Sequence, residues 1–233
     1  MKGSKISRSE RSMFLALACD YDGTLAHEGR VLRSTILSLE RYRAAGGRLV
    51  LVTGRETSDL DSVCSCVSLF DRVIAENGAV IHWPATRLTK VLARPVSKEF
   101  VRSLRQEGVV PLGTGLVIVA TTRAWEQTLV DAIGEQRLDL RLTYNKDSIM
   151  VLPAGVDKGS GLRAALSDLG IAAERTVSVG DAENDESMLA LAGLSAAVDN
   201  ALPSLKEHAD LVTERANGAG VEELIDWLLD VHD

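Results

Sequence analysis

From Phe14 onward the chain alternates short apolar runs with helical patterns, and the runs end in polar clusters. Phe14–Cys19, Arg48–Val52, Arg72–Ala75 and Thr176–Val179 read as buried strands. Helical patterns fall between them: Arg33–Ala45, with Ile36, Leu39 and Tyr42 on one face, a segment opening at Thr57 or Ser58, and Lys158–Leu169. Such alternation predicts a parallel sheet flanked by helices, an α/β Rossmann-like fold. In a parallel sheet every strand C-terminus lies on one edge. Whatever follows these strands therefore converges there, where open α/β sheets bind ligands.

The rhythm breaks at Trp83-Pro84 and resumes near Lys158. Between them the pattern reads strand, helix, strand, helix, strand, strand. Helices are expected near Lys98–Gln106 and Arg123–Gly134. Strands are expected near Leu88–Leu92, Val109–Thr121 (with Gly113-Thr114-Gly115 a candidate break), Leu138–Tyr144 and Ser148–Leu152. The last two face each other across Asn145-Lys146-Asp147, and short turns imply antiparallel pairing. The expected organisation is a flexible leader over 1–12, with Met13 an alternative start; a core over 13–83 and 153–233; and a small α+β insertion over 84–152. After the insertion the core adds strands near Ser195–Val198 and Ala209–Val212, and helices near Asn184–Ala192, Pro203–His208 and Val221–Val231.

Four polar clusters carry the chemistry. Asp20-Tyr21-Asp22-Gly23-Thr24 follows the first strand, Thr53-Gly54-Arg55 the second, and Gly180-Asp181-Ala182-Glu183-Asn184-Asp185 the strand at Thr176, while Lys158 opens a helix. Two carboxylates two positions apart, at a strand end, repel each other unless a cation or a reaction uses them. Summed over the shared edge, the clusters bring carboxylates, one lysine, one arginine and small hydroxyl or glycine residues. Oxygen ligands of this kind hold Mg²⁺. Lys158 supplies a point charge, and Thr53 and backbone N–H groups donate to phosphate oxygens. Arg55 is open between a phosphate contact and a partner for a carboxylate. His27 reads as a loop residue, and Tyr144, Asn145 and Lys146 as either substrate-facing groups or an exposed turn.

These four motifs, in this order at strand ends, resemble the haloacid dehalogenase superfamily of aspartyl phosphotransferases. The position of the insertion, after Glu76-Asn77-Gly78, is similar to the Cof-like (type IIB) branch, which includes sucrose-phosphate, mannosyl-3-phosphoglycerate and archaeal phosphoglycolate phosphatases. The resemblance implies that the insertion is a cap over the site. It implies Asp20 as nucleophile forming an aspartyl-phosphate, and Asp22 as general acid and base. It implies Mg²⁺ held by Asp20, the backbone carbonyl of Asp22 and Asp181, with Asp185 supporting, and phosphate contacts from Thr53, Gly54, Lys158 and Asn184. The expected activity is a Mg²⁺-dependent phosphatase acting on a small phosphorylated metabolite, a sugar phosphate or phosphoglycolate-like compound. A phosphomutase of the same superfamily and a non-catalytic phosphate-binding module are the alternatives.

The remaining totals narrow the partners. A net charge of −7 over 233 residues argues against a nucleic-acid or anionic-membrane surface. Three cysteines, two of them in Cys64-Ser65-Cys66, fit a reducing cytosol better than a disulfide scaffold. Apolar runs fall short of the roughly 18 residues of a membrane span, and the polar, basic first dozen residues do not resemble a signal peptide. The expectation is a cytoplasmic monomer or homodimer.

Overall fold

A computed structural model describes residues 2–3 and 6–229. Its large sheet is built on β1 (Ala16–Cys19), β2 (Arg48–Val52), β3 (Arg72–Ala75), β4 (Val80–Trp83) and β5 (Leu88–Val91). After a second, smaller sheet the chain returns to add β10 (Thr176–Gly180), β11 (Leu194–Ala197) and β12 (Leu211–Val212). The order is β12-β11-β10-β1-β2-β3-β4-β5. The run from β12 to β3 is parallel, while β4 and β5 pair antiparallel. The chain builds outward from β1 to β3, then restarts at β10 on the other side of β1. The direction reverses between β1 and β10, and loops leaving those two strands separate to leave a crevice.

Burial explains why these runs are central strands. Every residue of β1 and β10 is buried, and Leu17, Val50, Leu51, Val177 and Val179 are fully so. Side chains on both faces are covered, as expected where helices pack on each side of a parallel sheet. Helix α1 (Arg33–Ala44) packs against α8 (Asn217–Leu229), and α5 (Lys158–Leu169) packs against α6 (Glu186–Leu191). The intervening helices are α2 (Thr57–Val63), α3 (Lys98–Gln106), α4 (Glu126–Glu135) and α7 (Pro203–His208).

The second sheet comprises β6 (Gly113–Thr114), β7 (Val119–Thr122), β8 (Leu140–Asn145) and β9 (Ser148–Pro153), in the order β6-β7-β9-β8, all antiparallel. It has its own core, with Phe100, Leu104 and Leu129 from α3 and α4 against Ile149 and Val151. A third apolar cluster joins the two sheets, where Ala75, Ala79 and Val80 meet Val117, Ile118, Met150 and Leu152.

Several expectations shift. The strand near Leu88–Leu92 belongs to the large sheet, not to the insertion. Trp83-Pro84 is only a hairpin turn, closed by Thr86 and Arg87 N–H groups on the Trp83 carbonyl. The long run Val109–Thr121 does break, into β6 and β7. Glu56, rather than Thr57 or Ser58, sits at the N-cap of α2, with no side-chain cap bond. Within the stretch expected as a flexible leader, Lys2–Gly3 pairs with β12, and Arg8–Arg11 forms a helical turn whose Arg11 stacks on Trp227. The closing helix starts earlier than expected, at Asn217; Val231 lies outside the described residues.

Candidate active site

Asp20 leaves the C-terminus of β1, its N–H bonded to the Val179 carbonyl of β10 at 3.0 Å. Lys158 reaches the same place from the first turn of α5. That turn is fixed by a capping box, in which Asp157 accepts from the Ser160 N–H at 2.7 Å and the Ser160 hydroxyl accepts from the Asp157 N–H at 3.0 Å. The Lys158 ammonium, 1% exposed, donates to Asp20 Oδ1 and Asp185 Oδ1, both at 2.5 Å. Asp185 Oδ2 accepts the Asp181 and Ala182 N–H groups at 2.9 and 3.0 Å, so the loop after β10 folds around it. Asp181 Oδ1 takes the Thr24 hydroxyl at 3.1 Å. Gly23 makes this approach possible: its φ is +87°, and a Cβ there would stand 2.3 Å from Asp181 Oδ2.

Asp20, Asp181 and Asp185 are all buried, and each brings one oxygen within 4.8 Å of the other two. The buried Lys158 bonds two of these three carboxylates, Asp20 and Asp185, while Asp181 takes the half-exposed Lys146. Burial holds the Asp20 carboxyl well above the ordinary carboxylate range, against the pull of Lys158 and with the push of Asp185 and Asp181. Burial raises Asp181 as well, against its bond to Lys146. Burial opposes the Lys158 charge, yet Asp185 and Asp20 leave its pKa raised. The cluster is short of positive charge and rich in hard oxygen donors, so its residues fit a small divalent cation such as Mg²⁺.

Asp22 is not in this cluster. Its carboxylate takes both donors of the Arg55 fork, Nε at 2.6 Å and a terminal nitrogen at 2.9 Å. Arg55 also binds Asp59 at 2.5 Å and lies 5.5 Å from the Tyr21 ring centroid, which resolves its open reading toward carboxylate pairing. Thr53 is fully buried at the end of β2, its hydroxyl accepting from the Arg55 N–H at 3.1 Å. Gly54 follows it, and a Cβ there would stand 3.5 Å from the Met150 sulfur of the second sheet. Asn184 donates to Asn77 at 2.9 Å, and this buried pair leaves Asn184 Oδ1 and Asn77 Nδ2 without partners among the described residues. His27 is exposed in the loop after the first motif. Cys19, Cys64 and Cys66 are free and buried, the last two 3.6 Å apart at sulfur.

Three further residues shape the site without a motif to announce them. Glu76, fully buried just after β3, accepts the N–H groups of Leu116, Val117 and Ile118 at 2.7, 2.8 and 3.1 Å, tying the second sheet to the first. Gly115 is required beside it, since a Cβ would fall 2.5 Å from the Glu76 carboxyl. Arg123, entering α4, donates to Glu183 at 2.9 Å. The only sequence hint was position: Glu76 sits at a strand end in a turn, and Glu183 lies inside the last motif.

The sequence profile of the haloacid dehalogenase-like hydrolases matches residues 17–110 and 116–225. The chain is 31% identical over 221 residues to a phosphoglycolate phosphatase of Archaeoglobus fulgidus, covering 91% of this chain and 96% of that protein. It is equally identical over 218 residues to a phosphoglycolate phosphatase of Methanothermobacter thermautotrophicus, covering 90% and 96%. Among solved structures, a haloacid dehalogenase-like hydrolase from B. subtilis superposes with a TM-score of 0.76 at 21% identity, over 91% of this chain and 99% of that one.

Proposed function

The chain belongs to the haloacid dehalogenase-like hydrolases, in their Cof-type branch, and on that premise we propose that it is a Mg²⁺-dependent phosphatase of a small phosphorylated metabolite. The two archaeal relatives named above make phosphoglycolate the first substrate to try, with sugar phosphates next. One observation carries the reading most. A buried carboxylate, Asp20, is held by a buried lysine at 2.5 Å beside two more carboxylates, at the crevice where the sheet order reverses.

Asp20 is the nucleophile, and its attack on phosphorus displaces the substrate alcohol and leaves an aspartyl-phosphate for water to hydrolyse. Lys158 orients Asp20 through Oδ1 and offers positive charge to the transferring group. Asp20, Asp181, Asp185 and the Asp22 backbone carbonyl hold the metal, which when bound neutralises phosphate and carboxylate charge. Thr53, Gly54 and Asn184 line the phosphate side. Asp22 carries the proton to the leaving oxygen and takes it from water, which requires the Arg55 fork to release its carboxylate. The second sheet with α3 and α4 serves as the cap that excludes water and selects the leaving group.

A panel of phosphoglycolate, sugar phosphates and an aryl phosphate, assayed for phosphate release with Mg²⁺, tests this. Activity that disappears in Asp20→Asn and in EDTA, and returns with Mg²⁺, is the expected outcome. Wild-type release no greater than that of Asp20→Asn would overturn the reading in favour of a binding module. Isomerised hexose phosphate in place of free phosphate would make it a mutase.

A further inference from the structure

The β8–β9 hairpin points its turn at the acidic cluster. Lys146, the first of the two turn residues, has φ +51°, a left-handed conformation that usually favours glycine. A lysine held there is a strained choice, and strain of this kind gathers at functional positions. The turn is bolted in place: Arg123 donates to the Lys146 carbonyl and to Glu183, stacks 4.6 Å from the Tyr144 ring centroid, and Glu183 also accepts the Lys146 N–H at 3.3 Å. The side chain then reaches Asp181 Oδ2 at 2.6 Å.

Asp181 Oδ1 is taken by Thr24, so Lys146 occupies the other oxygen of a fully buried carboxylate that fits the metal. Partial burial works against the Lys146 charge, but Asp181, Asp20 and Asp185 outweigh it and its pKa is raised. The ammonium is half exposed and lines a cleft of about 660 Å³, with Asp22 and Gly23 on one side and Asn145, Ser148 and Asn200 among its other walls. Once Asp181 serves the metal, Lys146 is free to pair with another anion at the cleft. Glu183 pairs with Arg123, and Asp22 pairs with Arg55 here and serves proton transfer in turnover, while Glu28 and Asp147, the other carboxylates of the cleft, are solvent-exposed.

We propose that Lys146 is a substrate-reading residue: it pairs with Asp181 in the metal-free protein and turns to an acid group on the leaving alcohol when the metal is bound. The inference rests on the phosphatase reading and adds the residue that would pair with a carboxylate on the leaving alcohol, the group that phosphoglycolate has and ethyl phosphate lacks.

The test compares wild type, Lys146→Met and Lys146→Arg on phosphoglycolate and on ethyl phosphate, which lacks the carboxylate, together with calorimetric Mg²⁺ titration of the metal-free proteins. Wild type should favour phosphoglycolate in kcat/KM. In Lys146→Met that preference should fall by about 10- to 100-fold, the worth of a charge-assisted hydrogen bond, and Lys146→Arg should keep part of it. Mg²⁺ should bind Lys146→Met about five-fold more tightly, because a partly exposed ion pair no longer competes. An unchanged preference ratio overturns the substrate half, and an unchanged or weaker Mg²⁺ affinity overturns the exchange half. If wild type hydrolyses ethyl phosphate but shows no preference for phosphoglycolate, this inference fails and the phosphatase reading stands. If wild type hydrolyses no monoester, that reading fails and takes the substrate half with it, while the Mg²⁺ titration still decides the exchange.

Discussion

Two lysines meet the same acidic cluster from opposite directions, and they are held in opposite ways. Lys158 comes from α5 beneath the sheet edge, fully buried, with two carboxylates at 2.5 Å. Lys146 comes from a hairpin turn of the second sheet, half exposed, with one carboxylate at 2.6 Å. A buried ammonium cannot leave without stranding its partners, whereas an exposed one exchanges with water and ions at little cost. The large sheet therefore provides a fixed electrostatic floor, and the second sheet an adjustable reader above it.

The sharpest break of this comparison is removal of the two charges in turn. Lys158→Met leaves Asp20 and Asp185 buried without their cation. It should lower stability by about 3–5 kcal/mol and turnover of an aryl phosphate by about 10³-fold. Lys146→Met, which leaves the buried Asp181 carboxylate its Thr24 bond, should cost less, about 1–3 kcal/mol. Urea unfolding of both variants gives the first comparison and initial rates the second. Equal stability losses would erase the distinction between floor and reader.

The floor was legible in the sequence, whereas for Lys146 the sequence left substrate-facing group and exposed turn both open, for a physical reason. Asp20, Thr53 and Asp181 each follow a strand of one parallel sheet, so strand order alone brings them to one edge, and helix periodicity puts Lys158 at the start of α5. Nothing comparable fixes the hairpin turn. Its height over the edge depends on how Val117, Ile118 and Met150 pack on Ala75, Ala79 and Val80, which no periodicity encodes. Glu76 escaped notice because its partners are backbone N–H groups, which carry no residue identity. Leu88–Leu92 is expected in the insertion because Trp83-Pro84 reads as a break, whereas that dipeptide turns the chain back to extend the large sheet. The first motif marks Asp22 as a candidate, but its pairing with Arg55 depends on where the turn after β2 directs a guanidinium.

Glu76 tests the joint between the two regions. Its carboxylate accepts three N–H groups from residues 116–118. Glu76→Gln places an NH₂ against one of those donors and should destabilise the protein by about 1–3 kcal/mol. Urea unfolding measures it, and a loss near zero would mean that the apolar joint holds the sheets without this tether. Arg123→Ala addresses the reader alone. It removes the Arg123 bond to the Lys146 carbonyl and its pairing with Glu183, an ion pair with 42% and 35% of its two side chains exposed. The expected result is a rise in KM of about five-fold with kcat little changed, in keeping with roughly 1 kcal/mol for such a pair. A larger fall in kcat than rise in KM would place Arg123 in the floor instead.

The smallest effect concerns the floor's own charge imbalance. Burial and the neighbouring carboxylates raise the folded-state pKa of Asp20 above its unfolded value. The stability tied to its protonated form is then fully present below the unfolded carboxylate range and is lost as pH rises through the raised folded value. An asparagine does not titrate. In EDTA, Asp20→Asn and wild type should therefore melt alike at low pH, and the variant should become the more stable one as pH rises toward 7.5. A gain of about 2–4 °C corresponds to ~1 kcal/mol in a chain of this size. Thermal melts from acid to pH 7.5 follow the difference, and Mg²⁺ should narrow it by stabilising wild type, whose carboxylate is the better ligand. If the variant instead falls below wild type as pH rises, Lys158 more than offsets the burial of Asp20, and the floor has no charge deficit for a metal to fill.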